Sequence, residues 1–322
     1  TTGASETAVG RGALQSNTTG DKNTAVGDQA LKSNTTARDN VAVGESALYT
    51  NTTGDDNTAI GRLALTSNTT ANNNTAVGSS ALEGNTTGHS NTAVGKIALD
   101  SNTTGFQNTA VGMNALQANT TGLRNTALGQ DSLYSNTTAS DSTAVGKNSL
   151  ESNTTGAENT AVGKGSLGTN TTGHSSTAIG KNALTAQTTG TYNAAFGRSS
   201  LDQTTTGTSN SAMGSGSGYT NTTGSYNTFL GYDARGSGAT VNKSWISHGA
   251  TSWSGSSDSR LKDNITTATA GLSFINDLRP VTFEWKAKGD VPVELDHYKE
   301  GSTERDNDSD KVQHGFIAQE VK

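Results

Sequence analysis

"TTGDKNTAVGDQALKSN", Thr18–Asn34, is one copy of a unit that recurs every 17 residues without a slip. Counting from the first threonine, Thr-Thr fills positions 1 and 2 fourteen times, from Thr1 to Thr222. Position 9 is apolar in every copy, from Val9 and Val26 to Phe196, Met213 and Leu230, and position 10 is always glycine. Position 14 is leucine in twelve copies and fails only at Gly218 and Arg235. Spacing this regular means that each copy is one structural unit, and that stacked neighbours bury what a single unit leaves open. The expected architecture is therefore a mainly β solenoid of 17-residue coils.

Within a coil, "NTAVG" has the β-branched alternation of a short strand, with glycines placed where the backbone turns. The "xxALxxN" stretch fits a second strand or a single helical turn, and the sequence does not choose between them. Asn17, Asn34 and Asn51 are expected to stack as a hydrogen-bonded ladder, and Thr-Thr-Gly to form a corner whose hydroxyls bond the backbone. One strand step of roughly 4.8 Å per coil gives a rod on the order of 65–70 Å long. Each coil offers one Val-type and one Leu-type side chain plus small Ala or Ser, too little for an independent core. Three chains sharing these residues about an axis would supply one, so a homotrimer is expected.

Composition limits the function classes. With 30% apolar residues, 5% aromatics and 39 glycines in 322 residues, order has to come from repetition. There is no cysteine, so disulfides and thiolate metal sites are absent. The formal charge is −6, and residues 257–322 hold 9 Lys/Arg and 13 Asp/Glu against 13 and 15 in the first 256. No basic stripe is read that would neutralise phosphates, so nucleic acid is not expected as a partner; no run approaches ~18 apolar residues, and Asp does not recur at a fixed position as a calcium-loaded roll requires. Neither metal nor cofactor is expected. His89 and His174 share position 4 five coils apart and read as exposed variants. The opening "TTGASETAVG" starts in mid-pattern and reads as a fragment.

The repeat with its "AVG" and "AIG" signatures resembles the head repeats of trimeric autotransporter adhesins and of phage tail fibres. That resemblance covers residues 1–238 and implies a trimeric parallel β-roll. The pattern degenerates from "SAMGSGSGYTN" onward, as capping units do. Residues 239–256 then read as a connector. Tyr192, Phe196, Tyr219, Tyr226 and Tyr232 gather in these last coils, where they suit contact with sugar rings or, more simply, packing at the cap.

Residues 257–322 read as a small mixed α/β domain. Leu272, Ile275 and Leu278 have helical spacing up to Pro280; "VTFEW" alternates as a strand; "HGFIAQEV" returns to order after a charged loop. "SDSRLKDNI", "LRPVTFEWK" and "HGFIAQEV" in this order resemble the intramolecular chaperone domain of endosialidases and related phage fibres, the S74 peptidase family. The resemblance implies a domain continuing beyond Lys322. It also implies Ser257 as nucleophile, Lys262 as its base and cleavage of the Ser256–Ser257 bond, with Asp258, Arg260 and His314 as possible support. A serine needs such a base, and a lysine near another cation or out of water serves when neutral. Chemistry would be limited to this single self-cleavage, since acids are scattered along the rod and no glycosidase pair emerges.

The resulting expectation is a bacteriophage tail fibre, assembled in the host cytoplasm and carried on the virion. Its partners would be its own copies, other tail proteins and a host surface receptor, a glycan being one candidate. A bacterial surface adhesin with the same chaperone is the alternative, and an ice-binding solenoid, suggested by the threonine ladders, the second.

Overall fold

A computed structural model of the chain describes residues 4–236 with their side chains and the backbone of five further strands, 244–248, 251–253, 262–267, 280–285 and 313–316. The chain divides into two units, Thr1–Trp253 and Ser254–Lys322.

The first unit is a parallel β-solenoid. Positions 7 to 9 of every coil form a three-residue strand, from β1 (Thr7–Val9) and β2 (Thr24–Val26) through β7 (Thr109–Val111) to β14 (Thr228–Leu230). Each pairs with the next in parallel at a register of 17, Thr24 on Val41 and Ala25 on Ala42. β15 (Ser244–His248) continues the sheet in parallel on β14, and β16 (Thr251–Trp253) closes it antiparallel.

The stretch after the strand is neither a second strand nor a helical turn. It is a run of tight turns, because positions 12 and 14 are left-handed: Asn114 has φ 58° and Leu116 φ 52°. A leucine there costs roughly 1–2 kcal/mol. It is held because the side chain is fully buried, which returns about 1.5–3 kcal/mol. The glycine at position 10 is required on two counts: Gly112 has φ 137°, and a Cβ on it would lie 2.6 Å from the carbonyl carbon of Gly129.

The core of one coil is position 8 Ala, position 13 Ala or Ser and position 14 Leu, all fully buried through the middle of the rod. Position 9 is not part of it. Because side chains alternate along a strand, burying Ala at position 8 turns position 9 outward, and Ile60, Leu128 and Leu230 are 41%, 47% and 43% exposed. A single chain therefore fills its own interior and leaves its Val-type residues as an apolar row.

Two asparagine ladders complete the interior. The expected one, at position 17, has Asn68 donating to Asn51 Oδ1 (2.9 Å) and to the carbonyl of Ala71 (3.0 Å). The second, at position 6, is equally buried: Asn57 Nδ2 donates to the carbonyl of Ala71 (2.8 Å), and Asn57 Oδ1 accepts from the backbone N–H of Asn74 (3.0 Å). The first threonine of each corner bonds the backbone as expected, Thr35 Oγ1 donating to the carbonyl of Thr52 at 3.0 Å.

The atypical last coils are a compensated exchange. Gly218 replaces the leucine, and Phe229 at position 8 of the next coil fills the vacated space; a Cβ on Gly218 would lie 2.9 Å from the Phe229 ring. Tyr192, Tyr226 and Tyr232 do not pack there, being 59%, 61% and 77% exposed, whereas Tyr219 is half-buried with the Arg235 guanidinium 5.9 Å over its ring. His89 is exposed as expected and stacks on Phe106 at 4.8 Å, while His174 is half-buried and meets Tyr192 edge-on.

Candidate autoprocessing site

The second unit contains a three-stranded antiparallel sheet in chain order, β17 (Lys262–Thr267), β18 (Pro280–Trp285) and β19 (Gln313–Phe316). β18 forms where alternation in "VTFEW" predicts a strand, and Pro280 stands at its first residue, where a missing N–H is tolerated. β19 falls on the beginning of "HGFIAQEV". The predicted helix near Leu272–Leu278 lies outside the described residues.

Lys262 is the first residue of β17, opposite Trp285, with Asp263 opposite Glu284 and a register shift between Asp263 and Thr266. A lysine at the start of a strand is held at a defined height on the sheet while the chain before it leaves the strand. Ser257 is five residues earlier, so it stands within roughly 18 Å of Lys262 even on a fully extended path. Ser256, Ser257, Asp258 and Arg260 lie outside the described residues.

His314 sits on β19 opposite Thr282. β18 separates it from β17, and its partner Thr282 is three residues from Trp285. The backbone register thus gives the heights of Lys262 and His314 on the sheet through their partners Trp285 and Thr282.

The solenoid adds a surface that reading by composition missed. The outward apolar row at position 9 runs the length of the sheet, with threonine beside it at position 7 in most coils. The signal was present in the strand alternation: once Ala is assigned inward, its neighbours face out. Among the described residues, no three of His, Cys, Asp and Glu gather to hold a metal, and no helix is long and apolar enough to cross a membrane.

No curated protein and no solved structure matches the chain. Residues 257–322 match the Peptidase S74 family, described as chaperone of endosialidase. The match begins at Ser257, where the charge density rises and the repeats have ended, and it identifies this C-terminal segment as similar to a chaperone-of-endosialidase domain.

Proposed function

We propose that the chain is a trimeric fibre whose C-terminal domain acts as an intramolecular chaperone and then cuts itself free before Ser257. The observation that carries the reading is the junction itself: a chaperone-of-endosialidase match follows directly on a parallel solenoid with an unburied apolar row. Burying what remains exposed of each position 9 side chain contributes on the order of 1 kcal/mol, repeated over fourteen coils. Three copies around an axis turn these rows toward one another. The fibre serves attachment on a bacteriophage tail, with a cell-surface receptor as its partner. The adhesin-like repeat also fits a bacterial surface protein carrying the same domain.

In the cleavage step neutral Lys262 takes the proton of the Ser257 hydroxyl while its oxygen attacks the carbonyl carbon of Ser256. The tetrahedral adduct collapses with breakage of the Ser256–Ser257 C–N bond, and the leaving nitrogen takes up a proton. The resulting ester is hydrolysed by one water, leaving a carboxylate on Ser256 and an amine on Ser257.

The test is intact mass of the full-length gene product beside Ser257→Ala and Lys262→Ala, with molar mass by light scattering. The expected result is a wild type split before Ser257, both variants whole, and a trimer in each case. Three uncut chains would remove the peptidase part of the reading, and a monomeric rod would remove the fibre. A monomer with thermal hysteresis would instead favour ice binding by the Thr and Val columns of the outward face.

A further inference from the structure

Two columns flank the outward strand face, position 5 before the strand and position 11 after it. Backbone bonds between coils fix both in height: Gly165 N–H donates to Lys147 O (3.0 Å), Asn182 to Lys164 O (2.9 Å), and Arg124 to Phe106 O (3.2 Å) beside position 5. At position 11, coils 9 to 12 carry Lys147, Lys164, Lys181 and Arg198 in succession, all exposed. At a coil step of roughly 4.8 Å these like charges repel one another, well inside a screening length of about 8 Å. None of the four has an ion pair; those among the described residues are Arg11–Asp28, Arg38–Asp21, Arg124–Asp141 and Arg235–Asp233.

In four coils the other column carries the opposite charge, whereas Lys96 and Lys181 stand beside Ser90 and Ser175. Position 5 and position 11 of one coil read Lys22 and Asp28, Asp56 and Arg62, Asp141 and Lys147, Glu158 and Lys164. Where coil 2 places an anion at position 11, it places a cation at position 5. Near the end the match turns aromatic, Tyr192 with Arg198 and Tyr226 with Tyr232, a cation–π pair and a ring pair by type. The single like-charged coil, Asp39 with Glu45, has Arg38 next to Asp39. Within one chain the members of these pairs sit at opposite ends of a strand, and no ion pair or ring contact joins them. Asp28 and Asp141 bond instead to Arg11 and Arg124 along their own columns.

We propose that position 5 of one chain packs against position 11 of the same coil in a second copy, so that three copies close a parallel, in-register ring around their outward strand faces. The proposal rests on the trimeric reading above and assigns its contacts. One flank meeting the other is a heterologous interface, which closes into a ring under rotation. Pure rotation keeps height, and positions 5 and 11 of one coil differ by about a third of a roughly 4.8 Å step. Sliding by one coil, so that position 11 met position 5 of the following coil, sets Arg11 on Lys22, Asp28 on Asp39 and Glu45 on Asp56 against one matched pair, Lys147 on Glu158; the opposite slide matches charges as well as the level arrangement does, with Glu45 on Lys22 and Lys181 on Glu158, so it is the rotation that sets the register. The seam also gives the exposed rings of Tyr192, Tyr226 and Tyr232 a partner surface, Tyr192 having an edge-on contact with His174 in its own chain.

The chain has no cysteine, so an introduced pair reports without background. In the full-length protein, Ser209→Cys and Ser215→Cys are combined, treated with a short bismaleimide and run on a denaturing gel. The expected product is a covalent trimer from the double variant and single chains from either variant alone. A second measurement compares melting midpoints of Glu158→Lys, Lys164→Glu and the double exchange; the double is expected to recover several degrees over the sum of the singles. If light scattering shows a trimer but the double cysteine variant stays uncrosslinked and the charge exchange is additive, the seam is wrong and the fibre stands. If the wild type is not a trimer, the fibre reading fails first and the seam with it.

Discussion

In the solenoid Ala25 lies on Ala42 and Ala42 on Ala59; in the C-terminal unit Lys262 pairs with Trp285 and Pro280 with Phe316, and no pairing recurs. The first arrangement is stable through nearest neighbours and cheap to specify. Its weakness is register: in the proposed trimer, three periodic chains displaced by one coil keep the contacts of their repeated residues in all but one coil, so only the variable positions oppose the slip. An aperiodic unit has only one alignment. A chain built from such repeats therefore gains most from a non-repeating segment that sets register before the coils form, because long-range parallel pairing is slow and exposes edges meanwhile.

Breaking that division of labour has the largest expected effect. Deleting residues 254–322 before expression should remove most registered trimer and give aggregated or staggered species, measured by light scattering and by the spread of rod lengths in electron micrographs. A uniform trimer from the deleted chain would show that the solenoid sets its own register.

The next effect lies inside the rod. Leu116→Ala removes a fully buried side chain between neighbouring coils and is expected to cost about 2–5 kcal/mol, read as a lowered urea midpoint. A change under 1 kcal/mol would mean that coils relax into the gap and that the interior is looser than its burial indicates.

The smallest effect sharpens the contrast between inward and outward charge. Burial, and secondarily the neighbouring Glu83 carboxylate, push Asp100 above the ordinary aspartate range. A raised folded value means that the native state holds the proton more tightly, so stability falls as pH rises through that window and the penalty is complete at neutral pH. Asp100→Asn should raise the melting midpoint slightly at pH 7 and leave it unchanged below the normal aspartate range. Equal gains at both pH values would assign the effect to packing.

The positions of β1 to β14 were legible from the 17-residue spacing, as were the Asn17 ladder and the corner hydroxyls; β15 and β16 fall in the stretch read as a connector. The second ladder was not, because Asn23 and Asn57 only open the "NTAVG" stretch in the sequence, and closure of the coil puts them inside. The C-terminal segment announced itself through three motifs, and two of its strands formed where alternation or returning order predicted them. The pairing of Lys262 with Trp285 was hidden, since the motifs carry no register.

The sequence by itself determined the solenoid, its period and the place where it yields to a different kind of domain, because periodicity forces equivalent residues into equivalent environments. Only the tertiary structure decided that the leucines turn inward and the valines outward. The same inside–outside choice lines up lysines 17 residues apart and sets position 5 and position 11 on opposite flanks. These are outcomes of chain closure: a coil must turn at left-handed Leu116 and Asn114 before residues distant in sequence acquire a common side.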